Sequence, residues 1–247
     1  FFSSAMAAKP PHYLLRVTVS TRGPDSWSLR LLKHFTEEFQ KQHPGIATVD
    51  RDVNSIPHLT YEDVEAGRTD PEQHTPEMRE AFKLANELTD EVVNACHIVV
   101  ATPLYNWGPP SALKAWIDRI VNVRTFYKKT DTLKGIPVTF ICVSGGPYSV
   151  DAGFPQLVPN DHLRPLLSYV FGQIGSQPTD LLFVNGDPNG RLDFETVDGT
   201  DTSNGFGRAI SKMPEAAARL KAHDGHGDCS DNLHFHDWSK PCKRLCK

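Results

Sequence analysis

Hydroxyl side chains gather at the first turn of the chain, directly after the apolar run that starts at Tyr13. Ser20, Ser26 and Ser28 flank this turn, Gly23 lies between them, and a helical pattern follows. Such hydroxyls, with the unpaired backbone N–H groups of a helix start, can hold a phosphate without a lysine. For each serine taken alone, the alternative is a simple helix cap. The turn has neither a Gly-x-Gly-x-x-Gly fingerprint nor a P-loop, which argues against a dinucleotide-fold NAD site and against a nucleoside triphosphate.

An aromatic and amide loop interrupts the segment between residues 98 and 120. A buried-strand pattern ends at Pro103, and Pro109-Pro110-Ser111 starts a helix. The alternative for this loop is an ordinary strand–helix turn whose aromatic side chains fill the core. The side chains that can lie along the edge and face of a planar ring are Pro103, Leu104, Tyr105, Asn106 and Trp107.

Two glycines follow the next apolar run, which covers residues 136–143. Ser144-Gly145-Gly146 can approach a ligand closely because glycine has no Cβ, and Tyr148 is placed to cover that ligand. A phosphate site and two loops that enclose a flat ring are together what flavin mononucleotide (FMN) requires. FMN is therefore the cofactor that these residues indicate.

The elements that must position these loops alternate between strand and helix patterns. Strands are predicted at residues 13–20, 47–53, 98–102, 136–143 and 181–184, and helices begin near Ser28, Pro76, Pro110, Asn160 or Asp161, and Ala209. This alternation predicts an α/β fold, a doubly wound parallel sheet with helices on both faces. Five strands favour the flavodoxin-like order 2-1-3-4-5, in which strands 1, 3 and 4 are neighbours and their loops converge on one crevice.

Two local features complete the predicted fold. Residues 61–75 are acidic and turn-rich, and they are predicted to form an exposed loop. Pro214 is predicted to lie early in the last helix, which runs to Leu220, or to kink it.

The chain divides into three parts by composition. Residues 1–12 are poor in acids and rich in Ser and Ala, which suggests a flexible leader or transit remnant. Residues 13–222 are predicted to form one FMN-binding domain. Residues 223–247 form an extension whose His and Cys side chains suit zinc, but their spacing fits no standard finger. A polar segment docked on the body or on a partner is therefore favoured, and no metal is predicted.

Charge and hydropathy argue against several functional classes. A net charge of −4 is unfavourable for nucleic acid or an anionic membrane surface as a partner. No apolar run reaches the roughly 18 residues that a membrane-spanning helix needs. The five cysteines do not form a disulfide framework, and Cys96 and Cys142 lie beside apolar strand patterns and are predicted to be core residues. A cytoplasmic location is predicted, with an organelle lumen or matrix after transit-peptide removal as the alternative.

The motifs in these loops resemble those of the FMN-dependent NADH-azoreductase family, two-electron quinone and azo reductases of flavodoxin-like fold. The resemblance covers about residues 13–222, in the right order. The segments that carry it are Ser26-Trp27-Ser28, Pro103 to Trp107 with Leu113-Lys114 and Asp118, Thr125-Phe126, Gly145 to Tyr148, Leu167-Ser168 through Gly172-Gln173-Ile174-Gly175, and Thr179-Asp180 to Gly186.

The resemblance implies a role for each loop and a homodimer in which the neighbouring subunit finishes each site. The residues implied at the FMN phosphate are Ser20, Ser26, Trp27 and Ser28. Those implied around the isoalloxazine ring are Pro103, Leu104, Tyr105, Asn106 and Trp107, with Ser144, Gly145 and Gly146 at its other edge. Those implied in the substrate pocket are Phe126, Tyr127, Tyr148 and Gln173.

The implied reaction needs no catalytic acid or base, because the flavin takes a hydride from NADH or NADPH and passes it to a quinone or azo acceptor. Val143 replaces a usual hydroxyl residue, Ser144 an arginine and Gln173 a phenylalanine, and segment 127–133 is shorter than usual. These departures leave open a flavodoxin-fold structural or accessory subunit of a larger assembly, with or without FMN. A one-electron flavodoxin carrier fits less well, since such carriers are smaller and more acidic. The acceptor and the choice between NADH and NADPH stay open.

Overall fold

Five parallel strands form the centre of the computed structural model, which describes residues 12–127, 132–146, 148, 160–176, 179–185 and 205–220. The strands are β1 (Tyr13–Thr18), β2 (Thr48–Asp52), β3 (Ala95–Pro103), β4 (Val138–Ser144) and β5 (Thr179–Asn185). Their order in the sheet is β2-β1-β3-β4-β5, and every neighbouring pair is parallel. The predicted α/β class with a parallel sheet is confirmed.

Helices cover both faces of the sheet. The described residues form α1 (Trp27–Gln42), α2 (Tyr61–Arg68), α3 (Pro76–Val93), α4 (Ser111–Ile120), α5 (Leu163–Gln173) and α6 (Gly205–Ala217). One core cluster joins α1 and α6 to the sheet through side chains such as Phe35 and Met213. The other joins α3, α4 and α5 to the opposite face, with Leu88, Trp116 and Phe171 among its members.

The two central strands are buried on both faces. In β3 only Pro103 is partly exposed, and every residue of β4 is buried. Successive side chains point to opposite faces, so Val99 packs in the α1–α6 cluster and Val100 in the other. Apolar residues are therefore needed at every position, which is why the sequence shows continuous runs here. Cys96 and Cys142 are buried free thiols in these strands, as predicted.

A helix occupies residues 61–68, where the sequence pattern predicts an exposed loop, and a 3₁₀ turn follows at Pro71–Gln73. Thr60 and Asp63 form a capping box, in which the amide of each residue donates to the side chain of the other. The Asp63 carboxylate also pairs with the buried guanidinium of Arg119 on α4, at 2.9 and 3.1 Å. The loop prediction is wrong because one of the acids that suggested exposure caps α2 and binds Arg119.

The last described helix, α6, begins at Gly205 and ends at Ala217. Pro214 therefore lies in its final turn, and the prediction that placed this proline early in the helix is wrong. The Pro214 carbonyl accepts hydrogen bonds from the Gln42 side chain of α1 at 3.0 Å and from the Ala218 amide at 3.1 Å. A proline this close to the helix end removes an amide donor where few turns remain to be disrupted.

His97 is a fully buried imidazole in β3. Its Nδ1 lies 2.8 Å from the Arg219 carbonyl, just after α6, and its Nε2 lies 2.9 Å from Thr139 Oγ1 on β4. Phe35 and Phe39 of α1 pack against the ring at centroid distances of 5.4 and 5.7 Å. Burial lowers the pKa of His97 from 6.5 to about 4, so the ring is neutral near pH 7.

The fold is expected to lose stability as the pH falls from about 6.5 to about 4, because the unfolded chain takes up the His97 proton before the folded one does. The shift corresponds to about 3 kcal/mol in the free energy of unfolding. Urea unfolding across this pH window measures it. His97→Gln is expected to show a much smaller loss than the wild type, and His34→Gln, at an exposed position of α1, the same loss as the wild type. Equal pH dependence in all three proteins would contradict the assignment to His97.

Two absences hold for the described part of the chain. None of its helices combines the length and apolar character needed to cross a bilayer. It also contains no group of three or more His, Cys, Asp or Glu side chains placed to bind a metal ion. The His- and Cys-containing extension and nearly all of the predicted leader lie outside the described residues.

Candidate functional site

The loops after β1, β3 and β4 meet at the carboxyl edge of the sheet. The hydroxyls of Thr21 and Tyr105 lie 3.2 Å apart and join the first loop to the second. The Leu104 amide donates to the Val143 carbonyl at 2.7 Å and joins the second loop to the end of β4. The three predicted groups of residues are thus brought to one place, as the strand order requires.

The first loop ends at the start of α1 with two buried hydroxyls. Ser26 is the N-cap residue of α1, but its side chain forms no cap hydrogen bond, and the first turn carries no acidic residue. Its Oγ instead lies 3.0 Å from the Oγ of Ser28. By contrast, Thr60 and Thr75 cap the starts of α2 and α3. The simple cap interpretation therefore does not hold for Ser26, and the positive end of α1 suits an anion.

The second loop is a tight hairpin whose two central residues have left-handed backbone. The amides of Tyr105 and Gly108 each donate to the other's carbonyl, at 3.1 and 3.0 Å. Between them Asn106 has φ +46° and Trp107 has φ +67°. Such a turn accepts asparagine at its first central position but favours glycine at the second, so Trp107 is strained. Trp107 is 54% exposed, and its large ring therefore lies open at the mouth of the site.

The third loop is held close by its own contacts. Ser144 is buried, and its hydroxyl donates to the Gly146 carbonyl at 2.6 Å. The Tyr148 ring packs over Gly146, where an added Cβ would lie 3.0 Å from Tyr148 Cε2. An alanine at 146 would thus displace the ring, whereas Gly145 is exposed with open space around it. The loop therefore presents the backbone of two glycines, one exposed and the other covered by the Tyr148 ring.

Comparison with known proteins identifies the family. A family model described as flavodoxin-like fold matches residues 13–196. The FMN-dependent NADH:quinone oxidoreductase of Parafrankia sp. (strain EAN1pec) is 34% identical over 179 residues, 70% of this chain and 83% of that protein. The FMN-dependent NADH:quinone oxidoreductase 2 of Jannaschia sp. (strain CCS1) is 34% identical over 212 residues, 83% of this chain and 98% of that protein. This chain belongs to the FMN-dependent NADH:quinone oxidoreductase family.

Two solved structures of other proteins share the fold of this chain. An azoreductase from Bacillus anthracis (strain Sterne) matches with a TM-score of 0.69 and 16% identity, over 84% of this chain and 99% of that one. An FMN-dependent NADH-azoreductase from Bacillus anthracis (strain Ames Ancestor), solved in complex with FMN, matches with a TM-score of 0.66 and 20% identity, over 84% and 97%.

Three of the four predicted substrate-pocket residues lie at the amino edge of the sheet, opposite the edge that carries the three loops. Phe126 and Tyr127 belong to a π-helical turn (Val123–Tyr127) that follows α4. Gln173 is the last residue of α5. The carbonyl of the next residue, Ile174, accepts a hydrogen bond from the amide of Leu133, which lies shortly before β4 in the chain. The seven residues of β4 separate the two edges by about 20 Å. Within one chain, only Tyr148 of the four predicted pocket residues lies beside the three loops.

The contacts that join the loops after β1, β3 and β4 involve residues that the sequence pattern does not predict to be part of the site. Thr21 lies between the serines, and Asp161 is predicted only as a possible helix cap. His162, the N-cap residue of α5, and Arg164, in its first turn, bind carbonyls of the second and third loops. The spacing of Asp161 and Arg164 at i and i+3 was the one available signal, since it is typical of a pair across one helical turn.

The two buried thiols of β3 and β4 are not nucleophiles. Burial raises the pKa of Cys142 well above its ordinary value and that of Cys96 to about 11. Both are therefore neutral near pH 7. The site of this family member offers hydroxyls, backbone groups and aromatic rings, which suit the binding of a cofactor.

Proposed function

We propose that this chain is an FMN-dependent NAD(P)H oxidoreductase that transfers two electrons as a hydride to quinones or azo compounds. The observation that carries the proposal is the meeting of a hydroxyl-lined helix start with a strained aromatic hairpin and a glycine loop. The relatives named as FMN-dependent NADH:quinone oxidoreductases support it. When bound, FMN would supply the hydride chemistry, and the chain supplies binding, orientation and exclusion of water.

The helix start fits the phosphate end of FMN. Ser26 and Ser28 are buried and adjacent, and neither hydroxyl is used in capping α1. We assign the phosphate to these two side chains with Ser20 and Trp27. Ser20 fits because its hydroxyl accepts from the Arg22 amide at 3.2 Å and so faces into the same turn.

The hairpin and the glycine loop fit the ring end. We assign the ring to the five residues from Pro103 to Trp107 on one side and to Ser144, Gly145 and Gly146 on the other. Ser144 stands where the family usually has arginine, and its hydroxyl is bonded within the loop to Gly146. The ring contacts proposed on this side are therefore made by backbone, with Tyr148 covering them.

A homodimer would complete the pocket. Phe126, Tyr127 and Gln173 lie about 20 Å from the ring loops of their own chain, one β4 length away. We propose that they line the acceptor pocket of the partner subunit, opposite its Tyr148. The polar Gln173 side chain, exposed at the end of α5, would make that wall more hydrophilic than the phenylalanine usual in the family.

We also propose one FMN-binding domain over residues 13–222 and a cytoplasmic location. The family match over residues 13–196 supports the first. The free thiols of Cys96 and Cys142, which suit a reducing compartment, support the second.

The proposed function is tested on the purified full chain. It is expected to be yellow, to hold about one FMN per subunit and to oxidise NADH or NADPH in the presence of a benzoquinone. Release of the flavin by acid and its quantification give the stoichiometry. A colourless protein that takes up no added FMN and oxidises neither nicotinamide would contradict the proposal and favour the accessory-subunit alternative.

A further inference from the structure

The N-terminal end of α5, with its N-cap residue His162, binds both loops between which the flavin ring is proposed to lie. We propose that Arg164 is a positioning residue which, with the His162 amide, fixes the distance between these loops and so the width of the ring slot. The proposal rests on the proposed function, since it concerns how this chain holds the flavin ring. Neither residue belongs to the three loops themselves.

On one side, α5 holds the strained hairpin. The His162 amide donates to the Trp107 carbonyl at 2.8 Å. Trp107 has left-handed backbone, which a residue with a bulky side chain adopts only when its surroundings impose it. The hairpin's own pair of hydrogen bonds closes the turn but does not orient it on the sheet. The bond from His162 supplies that orientation on the α5 side, and the Thr21–Tyr105 contact supplies it on the side of the first loop.

On the other side, α5 holds the glycine loop. The Arg164 Nη2 atom donates to the Tyr148 carbonyl at 2.7 Å. The Tyr148 ring lies on Gly146, whose carbonyl accepts bonds from the Ser144 hydroxyl and the Tyr148 amide. Arg164 thus fixes the position of Tyr148, which covers the loop. The bonds of the Tyr148 amide and the Ser144 hydroxyl to the Gly146 carbonyl connect Tyr148 to the end of β4.

Asp161 fixes the orientation of the Arg164 guanidinium. The carboxylate is 5% exposed and accepts from the amides of Leu163 and Arg164 at 2.9 and 3.2 Å. Its other oxygen pairs with Arg164 Nε. Because Nε is taken, Nη2 is directed to the Tyr148 carbonyl in a fixed geometry. The same carboxylate neutralises the positive end of α5, so this turn serves as a support and not as an anion site.

The support is rigid because α5 is anchored in the core. Leu163, Leu167 and Phe171 are fully buried, and the Phe171 ring packs on Trp116 and Phe140 at 6.1 and 5.0 Å. A change at Arg164 is therefore expected to release the glycine loop without moving the helix. The effect falls on the ring end of the flavin and leaves the phosphate end, at α1, unchanged.

The test compares Arg164→Gln, Arg164→Lys and the control Arg16→Gln, which removes a surface Arg–Asp pair outside the site. Apoproteins are titrated with FMN and with riboflavin, and the visible circular dichroism of the bound flavin is recorded. Arg164→Gln is expected to weaken both flavins equally, by about tenfold, and to change the dichroism. Arg164→Lys is expected to restore part of the loss, and Arg16→Gln to match the wild type.

Equal affinities and identical dichroism in Arg164→Gln and the wild type would overturn the positioning role. A lowered melting temperature without either change would overturn it as well, because it would show a purely structural salt bridge. If Arg164→Gln does not fold, Asp161→Asn, which keeps an acceptor for the helix amides, carries the same expectation. A wild-type chain that binds no flavin would instead overturn the proposed function on which the inference rests.

Discussion

Replacing Ser26 with aspartate is expected to weaken FMN binding by about a hundredfold or more while leaving the apoprotein at least as stable as the wild type. A carboxylate at this buried position would face the proposed FMN phosphate, and two like charges about 4 Å apart repel by several kcal/mol at the dielectric of a protein surface. The same carboxylate would cap α1, whose N-cap side chain now forms no cap hydrogen bond. A new cap with a negative charge stabilises a helix start by up to about 1 kcal/mol.

Titration with two flavins and thermal unfolding of the apoprotein measure the two halves of this prediction. Riboflavin has no phosphate, so Ser26→Asp is expected to bind it about as well as the wild type does. The matched control is Thr75→Asp at the start of α3, where a threonine hydroxyl already caps the Met78 amide. This control is expected to leave both flavin affinities unchanged. Wild-type affinity of Ser26→Asp for FMN would place the phosphate elsewhere.

The sheet could be predicted from the sequence where burial alone decides the residue types. β3 and β4 are covered on both faces, so each position selects an apolar or small residue and the runs are plain. α2 could not be predicted from composition, because the Thr60–Asp63 capping box and the Arg119 partner outweigh the exposure that its acids suggest. Arg119 lies 56 residues from Asp63, and no local pattern connects them.

The meeting of the three loops could be predicted because the strand order forces it. The contacts that fix their spacing could not, since both bonds from the N-terminal end of α5 go to backbone carbonyls. Every residue has a carbonyl, so no spacing of residue types identifies Trp107 or Tyr148 as the acceptor. The same holds for Thr21 and Tyr105, whose hydroxyls meet across 84 residues. Sequence reasoning therefore identifies the candidate cofactor loops but not the residues that hold them.

Phe126 is expected to act in the site of the partner subunit and not in its own. The π-helical turn that carries it is well anchored, because the buried Asn122 accepts bonds from the amides of Thr125, Phe126 and Tyr127 through its carbonyl. The Phe126 and Tyr127 rings pack edge to face at 5.3 Å and are half-buried. An anchored aromatic pair at the amino edge, about 20 Å from the ring loops of its own chain, can cover a flavin only in a second copy.

Mixed dimers test this arrangement directly. Phe126→Ala alone is expected to lower the quinone kcat/KM by about tenfold through loss of one aromatic contact, and Ser26→Asp alone to abolish turnover through loss of FMN.

Co-expression of the two variants with different tags, followed by tandem purification, isolates dimers that contain one of each. In such a dimer, the flavin held by the Phe126→Ala chain meets an intact Phe126 from the Ser26→Asp chain. Its rate is then expected to recover to about half that of the wild type, because one of its two sites is complete. A mixed dimer no more active than Phe126→Ala would show instead that each chain supplies its own Phe126, and the partner-completed pocket would have to be abandoned.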